Sequence, residues 1–268
     1  MNKKLGFIGA GKMANSIMNG IFNAKLYNNF SFFDVNEKTV EEIKTKYNAT
    51  FYNSISEVVK NNDIIIICTK PFIINEVLEE IKSEINSGQL IISIAAGVSS
   101  KKIEAALNIK AKVIRVMPNT PALINEGISG LCKGAYANEN DLALAKNIMQ
   151  SVGQTVVVDE DKIDVVTALS GSGPAFYYYI INEFAKAAQN LGLDYETALK
   201  LSTQTAIGAG KMILNGAQNN ISVEKLIENV TTKGGCTEVG NNVLASSDIK
   251  DVLNKTIIDT MKKAISLG

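Results

Sequence analysis

Between Leu5 and Ala14 the chain reads Leu-Gly-Phe-Ile-Gly-Ala-Gly-Lys-Met-Ala. An apolar run meets a Gly-x-Gly-x-x-Ala turn and continues into a helical pattern. Such a turn binds the pyrophosphate of a dinucleotide, and each residue has a mechanical reason to be there. Gly9 turns the chain off a strand, Gly11 leaves the backbone open to a pyrophosphate, and Ala14 lets the helix pack close to the sheet. The amides at the helix start then face the phosphates. An ordinary tight turn can carry the same letters. Here the apolar run before it and the helical pattern after it favour a nucleotide, as does a second strand-like run, Phe30-Ser31-Phe32-Phe33, that ends in Asp34. Asp34 lies 23 residues beyond Gly11. An acidic group near that distance accepts hydrogen bonds from the ribose 2′-hydroxyl and repels a 2′-phosphate. Val35, Asn36 and Glu37 stand where an arginine would welcome that phosphate, with Lys38 as a partial substitute. These residues predict that NADH serves at least as well as NADPH, unless Asp34 points into solvent or caps the next helix.

Four further segments carry chemistry. Cys68-Thr69-Lys70-Pro71 closes a strand, and ligands of open α/β sheets sit at the carboxyl ends of strands. Lys70 is therefore placed to face a nicotinamide or a phosphate; a solvated strand-end lysine would read the same. Ser93-Ile94-Ala95-Ala96-Gly97 is a strand end of small residues, suited either to a cofactor ring or to helix–sheet packing. In Arg115-Val116-Met117-Pro118-Asn119-Thr120-Pro121-Ala122, two prolines make a rigid loop after a strand, and a plain connection explains it equally well. Thr231-Thr232-Lys233-Gly234-Gly235-Cys236-Thr237-Glu238 leads into a helix start whose free amides suit a carboxylate or phosphate. A capped helix with a hinge is the alternative. Ser170-Gly171-Ser172-Gly173-Pro174 breaks one helix, and Pro174 fits the first turn of the next.

The elements that must hold these residues fall into two halves. Strand-like runs at Leu5–Gly9, Phe30–Asp34, Asp63–Cys68, Leu90–Ala95, Val113–Val116 and Thr155–Val158 alternate with helical patterns. Alternation of that kind predicts a mainly parallel sheet with helices on both faces. The pattern changes near Asp159-Glu160-Asp161, and from Ile163 onward no strand run occurs. The expected architecture is α/β: a dinucleotide-binding domain over 1–160, then an all-helical domain over 161–268. The stretch from Tyr177 to Leu191 is apolar nearly all round, including Tyr178, Ile180, Ile181 and Phe184. Such a helix is buried, and a helical domain of roughly 105 residues struggles to bury several of them alone. A partner subunit is the natural cover.

Composition excludes several classes. The 268-residue chain has 27 basic and 27 acidic residues, so no field of one sign recruits nucleic acid or an anionic membrane. The longest apolar runs, such as Ile64 to Cys68, are too short to span a bilayer. Lys12 and Asn15 interrupt what would be the apolar core of a leader beginning Met1-Asn2-Lys3-Lys4. Three cysteines, Cys68, Cys132 and Cys236, show no pairing rhythm, which suits a reducing, cytoplasmic setting. There are no histidines, so the commonest acid/base group and metal ligand is missing and no metal site is expected. Chemistry must come from a cofactor, backbone dipoles, hydroxyls, lysines or carboxylates.

Taken together the segments resemble the pyrroline-5-carboxylate reductases, over essentially the whole chain. The resemblance rests on Phe7-Ile8-Gly9-Ala10-Gly11-Lys12-Met13, Lys70-Pro71, Ala95-Ala96-Gly97-Val98 and Met117-Pro118-Asn119-Thr120-Pro121-Ala122. Leu169-Ser170-Gly171-Ser172-Gly173-Pro174-Ala175, Gln204-Thr205 and Gly234-Gly235-Cys236-Thr237 complete it. It implies a Rossmann-type domain, an all-α C-terminal dimerisation domain, and the NAD(P)H-dependent reduction that forms L-proline. It further implies that Ile8, Gly9, Ala10, Gly11, Lys12 and Met13 bind the cofactor, with Asn36 near the adenosine end. Thr69, Lys70 and Ala96 would lie beside the nicotinamide half, and Asn229 close to the cofactor. Gly235, Cys236 and Thr237 would form the substrate pocket, with Glu160 near the substrate. On that basis the three amides of the loop take the substrate carboxylate, and Thr237 Oγ serves the ring nitrogen as catalytic orienter. Several positions depart from the family pattern: Thr232-Lys233 replace a usual Ser-Pro, Cys236 a frequent Thr, and Asn241 an aliphatic residue. A Gly-Phe-Arg that often follows is absent around Ser247-Asp248. Two rivals share the fold: a β-hydroxyacid-type dehydrogenase, for which only Lys162 and Lys186 offer an interdomain lysine, and a dinucleotide-binding paralogue without catalysis.

Overall fold

The computed structural model describes residues 3–27 and 29–267; Met1, Asn2 and Gly268, which fall in the segments read above as a leader start and a helical terminus, lie outside them. The first half runs β1 (Leu5–Ile8), α1 (Lys12–Asn23), β2 (Ser31–Phe33), α2 (Glu37–Tyr47), β3 (Thr50–Phe51), α3 (Ile55–Asn61) and β4 (Ile64–Ile67). It continues with α4 (Ile74–Ile81), β5 (Leu90–Ser93), α5 (Ser100–Leu107), β6 (Lys112–Met117), β7 (Gly127–Lys133), α6 (Glu139–Gln150) and β8 (Gly153–Val157). The rest is helical: α7 (Ile163–Val166), α8 (Gly173–Asn190), α9 (Tyr195–Gln218), α10 (Val223–Val230), α11 (Cys236–Ser246) and α12 (Ile249–Ile265).

The strands form one sheet in the order β3-β2-β1-β4-β5-β6-β7-β8. Neighbours are parallel except β6 and β7. The continuous Ile64-Ile65-Ile66-Ile67 run of β4 follows from cover on both faces. On one face Phe7, Ile66 and Ile114 pack with Ile17 of α1 and Ile148 of α6. On the other, Ile8, Ile65 and Ile67 pack with Val58 of α3, Leu78 of α4 and Ile103 of α5. The chain leaves β1 toward the first face and β4 toward the second. The two crossovers part there, and a crevice opens outside the carboxyl ends of β1 and β4.

Each expected strand is present, with ends shifted by one or two residues. Two strands were not anticipated. β3 has only two residues, and β7 reads Gly-Ile-Ser-Gly-Leu-Cys-Lys, with two glycines masking its alternation. As expected, no strand follows Ile163 among the described residues. The helix break at 170–174 is also there: a π turn spans Thr167–Gly171, and Pro174 sits in the first turn of α8.

The chain divides into two compact units, residues 1–174 with 257–268, and residues 175–256. Within the second unit α8 carries exposed aromatic side chains. Tyr177, Tyr178, Tyr179 and Phe184 are between 60% and 68% exposed, while Ala185 is fully buried. Among the described residues no helix is long and apolar enough to cross a membrane.

Candidate active site

The glycine turn shows which of its groups are free. Gly9 has φ +89°, and a Cβ there would come within 3.1 Å of the Cys68 carbonyl oxygen, so the fold itself demands glycine. Its amide donates to Phe33 O at 2.9 Å. The Ala10 amide donates to Asp34 Oδ2 at 2.6 Å. Ile8 is fully buried in the core, and its carbonyl accepts from the Cys68 amide at 2.8 Å. Three of the six residues read as cofactor-binding are thus engaged by the protein. Gly11 differs: a Cβ there would meet no protein atom within 4 Å. Nothing in the packing requires a glycine at that position, so the open space is kept for something else. Gly11 is the N-cap of α1, with no side-chain cap, and the first-turn amides of Lys12 and Met13 lack intrahelical acceptors.

These three residues line a cleft of about 660 Å³ at the parting of β1 and β4. Thr69, Lys70 and Ala96, expected beside the nicotinamide half, line it too. Thr69 Oγ1 is buried with no hydrogen-bond partner among the described residues. Such a hydroxyl is costly unless a ligand or water completes it. Cleft size, open glycine, free helix amides, two lysines and a waiting hydroxyl together fit a dinucleotide. Ile94 and Ala96 face the cleft while Ala95 is buried in the core, so the small-residue strand end both lines the cleft and packs the core. Burial pushes the Cys68 thiol in the cleft wall well up, which keeps it neutral and unreactive.

The proline loop after β6 is part of the wall, through Met117, Pro118, Thr120 and Leu123. Ser16 Oγ of α1 donates to Ala122 O at 2.6 Å and ties the loop to that helix. A Cβ on Gly171 would lie 2.4 Å from Met117 Cε. The Leu-Ser-Gly-Ser-Gly-Pro segment therefore seats a cleft residue. The sequence alone permits a plain connection here; what points to the cleft is the loop's place at a strand end with two fixed prolines.

Asp34 and Asn36 stand at the end of β2. Asp34 Oδ1 accepts from the Asn36 amide at 2.8 Å, and Asn36 Oδ1 accepts from the Thr39 amide at 3.0 Å, capping α2. Asp34 therefore neither points idly into solvent nor caps the helix; Asn36 does the capping.

Glu160 lies elsewhere than the cleft wall. Its Oε1 accepts from the Ser100 amide at 3.2 Å and Arg115 Nη1 at 3.0 Å. Its Oε2 accepts from Ser100 Oγ at 2.6 Å and Cys132 Sγ at 3.2 Å. Arg115 Nη2 reaches Asp164 Oδ1 at 2.8 Å. The cluster joins α5, β6, β7 and the start of α7. Burial works to raise the Glu160 pKa, but the hydrogen bonds from Ser100, Arg115 and Cys132 outweigh it and hold the carboxyl below its ordinary 4.5.

In the second unit the Gly-Gly loop opens α11, with Gly235 as N-cap and Thr237 in the first turn. The Gly235 amide donates to Thr232 O at 2.9 Å, and the Gly234 amide to Glu238 Oε2 at 2.7 Å. That leaves the first-turn amides of Cys236, Thr237 and Glu238 without an intrahelical acceptor. Both residues are exposed, as is Asn229 on α10.

Comparison with known proteins agrees with this architecture. Residues 160–267 match the family described as pyrroline-5-carboxylate reductase dimerisation, and residues 4–97 match one described as NADP oxidoreductase, coenzyme F420-dependent. A pyrroline-5-carboxylate reductase of Methanosarcina acetivorans is 37% identical, with 100% of this chain and 98% of the relative covered. The chain belongs to the pyrroline-5-carboxylate reductase family. Among solved structures, the reductase of Coxiella burnetii is similar at a TM-score of 0.93 and 32% identity, covering 100% of this chain and 99% of that one. The Plasmodium falciparum reductase, solved with NADP bound, is similar at 0.86 and 30% identity, covering 100% and 98%.

Against the family pattern, the departure at Asn241 has a local explanation. Asn241 Nδ2 donates to Thr231 Oγ1 at 2.9 Å and straps the Gly-Gly loop from within α11. Thr232 has one too: its hydroxyl would lie 2.4 Å from a Cβ on Gly235, so it closes the turn over the glycine. Nothing in the structure explains Lys233.

The Arg115 cluster yields a prediction. Arg115→Met should destabilise the protein by about 2–4 kcal/mol, somewhat less than a wholly buried pair because the two carboxylates keep partial solvent access. Because the Glu160 carboxyl is held below 4.5, its contribution is full above that value and is lost as pH falls through and below it. Glu160→Gln should therefore flatten the loss of stability on acidification below about pH 4.5. Denaturant unfolding across pH 3–7 measures both, and parallel pH curves for wild type and Glu160→Gln would refute the coupling.

Proposed function

We propose that this chain is an NAD(P)H-dependent oxidoreductase that reduces the cyclic imine 1-pyrroline-5-carboxylate to L-proline, the last step of proline biosynthesis. Family membership along the whole chain, from relatives of that name, is the observation that carries the reading. The cleft and its unmet polar groups support it from within the molecule. The division of labour follows the sequence: residues 1–160 for the dinucleotide, and residues 161–268 for substrate and dimerisation.

When bound, the reduced nicotinamide supplies the hydride that the imine carbon accepts. The chain's own residues bind and orient. Gly11, Lys12 and Met13 receive the phosphates through open backbone and first-turn amides. Ile8, Gly9 and Ala10 shape the turn from behind, and Asp34 and Asn36 serve the adenosine end. Thr69, Lys70 and Ala96 flank the nicotinamide half, with Asn229 as a further cofactor contact. In the Gly-Gly loop, the amides of Cys236 and Thr237 take the substrate carboxylate, and Gly235 provides the turn. Thr237 Oγ hydrogen-bonds the ring nitrogen and would relay to it a proton drawn from solvent, so that the C=N bond gains one hydride and one proton. Glu160 acts as fixed charge: two carboxylates on one guanidinium leave the Arg115 cluster net negative, which suits an iminium. The three cysteines are free thiols, which supports the cytoplasmic reading.

NADH or NADPH oxidation followed with pyrroline-5-carboxylate tests the reaction, beside a 3-hydroxy acid assayed in reverse for the dehydrogenase alternative. Thr237→Ala should slow turnover about 5- to 150-fold, the loss of one hydrogen bond of about 1–3 kcal/mol to a reacting atom, with dinucleotide binding retained. An unchanged kcat and KM would remove Thr237 from the reaction. Turnover of the hydroxy acid alone would replace the reading.

A homodimer or larger homo-oligomer is part of the same proposal. The exposed aromatic face of α8 supports it, and so does the match of residues 160–267 to a dimerisation family. Light scattering at micromolar concentration should give at least twice the 28.8 kDa chain mass. A stable, active monomer would contradict it.

A further inference from the structure

The end of β2 is where this sheet arrangement meets the adenosine ribose, and three observations there bear on which cofactor is taken. First, the Asp34 carboxylate is held in place, accepting from the Ala10 amide at 2.6 Å and from the Asn36 amide at 2.8 Å. Both donors are neutral backbone groups, so the negative charge is positioned without a cation to cancel it. The Ala10 bond also fastens this carboxylate to the glycine turn, so charge and phosphate-binding backbone move as one piece.

Second, Arg115 is the only arginine in the chain. It is 3% exposed and engaged by Glu160 and Asp164. A guanidinium is the group best matched to a 2′-phosphate, through two parallel hydrogen bonds. This protein has none free for that purpose, in one subunit or in an assembly of identical subunits. Third, among the four residues after Asp34 only Lys38, exposed in the first turn of α2, carries a positive charge, and an ammonium lacks the two parallel donors of a guanidinium. Val35 is 87% exposed, Asn36 uses its carbonyl oxygen to cap α2, and Glu37 brings a further carboxylate to the first turn of α2.

We propose that Asp34 reads the 2′ position of the adenosine ribose and that this chain takes NADH in preference to NADPH. The carboxylate accepts a hydrogen bond from a 2′-hydroxyl and repels a 2′-phosphate, a like-charge contact that discriminates strongly at short range. The inference rests on the reductase reading for the class of cofactor, but it concerns binding and needs no imine.

The test is a fluorescence titration of the full-length protein with NADH and with NADPH, each without substrate, followed by kcat/KM for both. NADH should bind at least about tenfold more tightly, a difference of about 1.4 kcal/mol. Asp34→Asn keeps an oxygen for an amide but loses the charge, and should bring the two affinities to within about threefold. Asp34→Ser with Val35→Arg, which puts a guanidinium at an exposed neighbouring position, should reverse the preference. Equal or tighter binding of NADPH by the wild type would overturn the inference and leave the reductase reading standing. So would a preference for NADH that both variants retain. Binding of neither dinucleotide would overturn both.

Discussion

The parting of β1 and β4 is the constraint on which the rest of the molecule depends. Two parallel strands side by side send their crossovers to opposite faces, so no helix closes the space above their carboxyl ends. The Cys68 amide to Ile8 carbonyl bond, 2.8 Å long, holds the two strand ends together. Gly9 then turns away under steric pressure from Cys68, and α1 begins with its free amides toward the opening. The Cys68–Pro71 segment, the Ile94–Ala96 strand end and the proline loop after β6 come to the same opening because each follows a parallel strand of this sheet. A shift of β4 against β1 would misplace all of them together.

A second constraint holds the far side of the sheet. β6 and β7 are the antiparallel pair, and Arg115 and Cys132 face each other in that register. Glu160 gathers both, with Ser100, before the chain turns into α7. A buried guanidinium shared by two carboxylates is costly to break and adds little when made. Its value here is placement: it fixes where the strand-bearing half ends and the helices begin. It also keeps the chain's sole arginine buried on β6, away from the end of β2.

Much of this was legible in the residues. The glycine turn, strand-end segments and switch to helix near Asp159 each follow from a local rule, and the structure puts Gly11, Lys12, Met13, Thr69, Lys70 and Ala96 around one cleft. What the residues concealed depends on long-range pairing. β7 hides behind its glycines because its partner, not its alternation, makes it a strand. The engagement of Ile8, Gly9 and Ala10 by neighbouring strands cannot be read from a motif that names them as binding residues. Nor can the four donors on Glu160, which come from positions 28 to 60 residues away. In the Gly-Gly loop, the roles of Thr232 and Asn241 emerge only once the turn is folded. Their departures from the family pattern then read as local bracing of that turn.

Hydrogen–deuterium exchange of the full-length protein, with and without saturating NADH, tests most directly that the cleft at the β1–β4 parting receives the dinucleotide. The account predicts slowed exchange in peptides covering Gly11–Asn15 and Cys68–Ile73, while the amides of Ile8 and Gly9, already bonded within the sheet, stay unchanged. Protection confined to other segments, with these two unaffected, would contradict it.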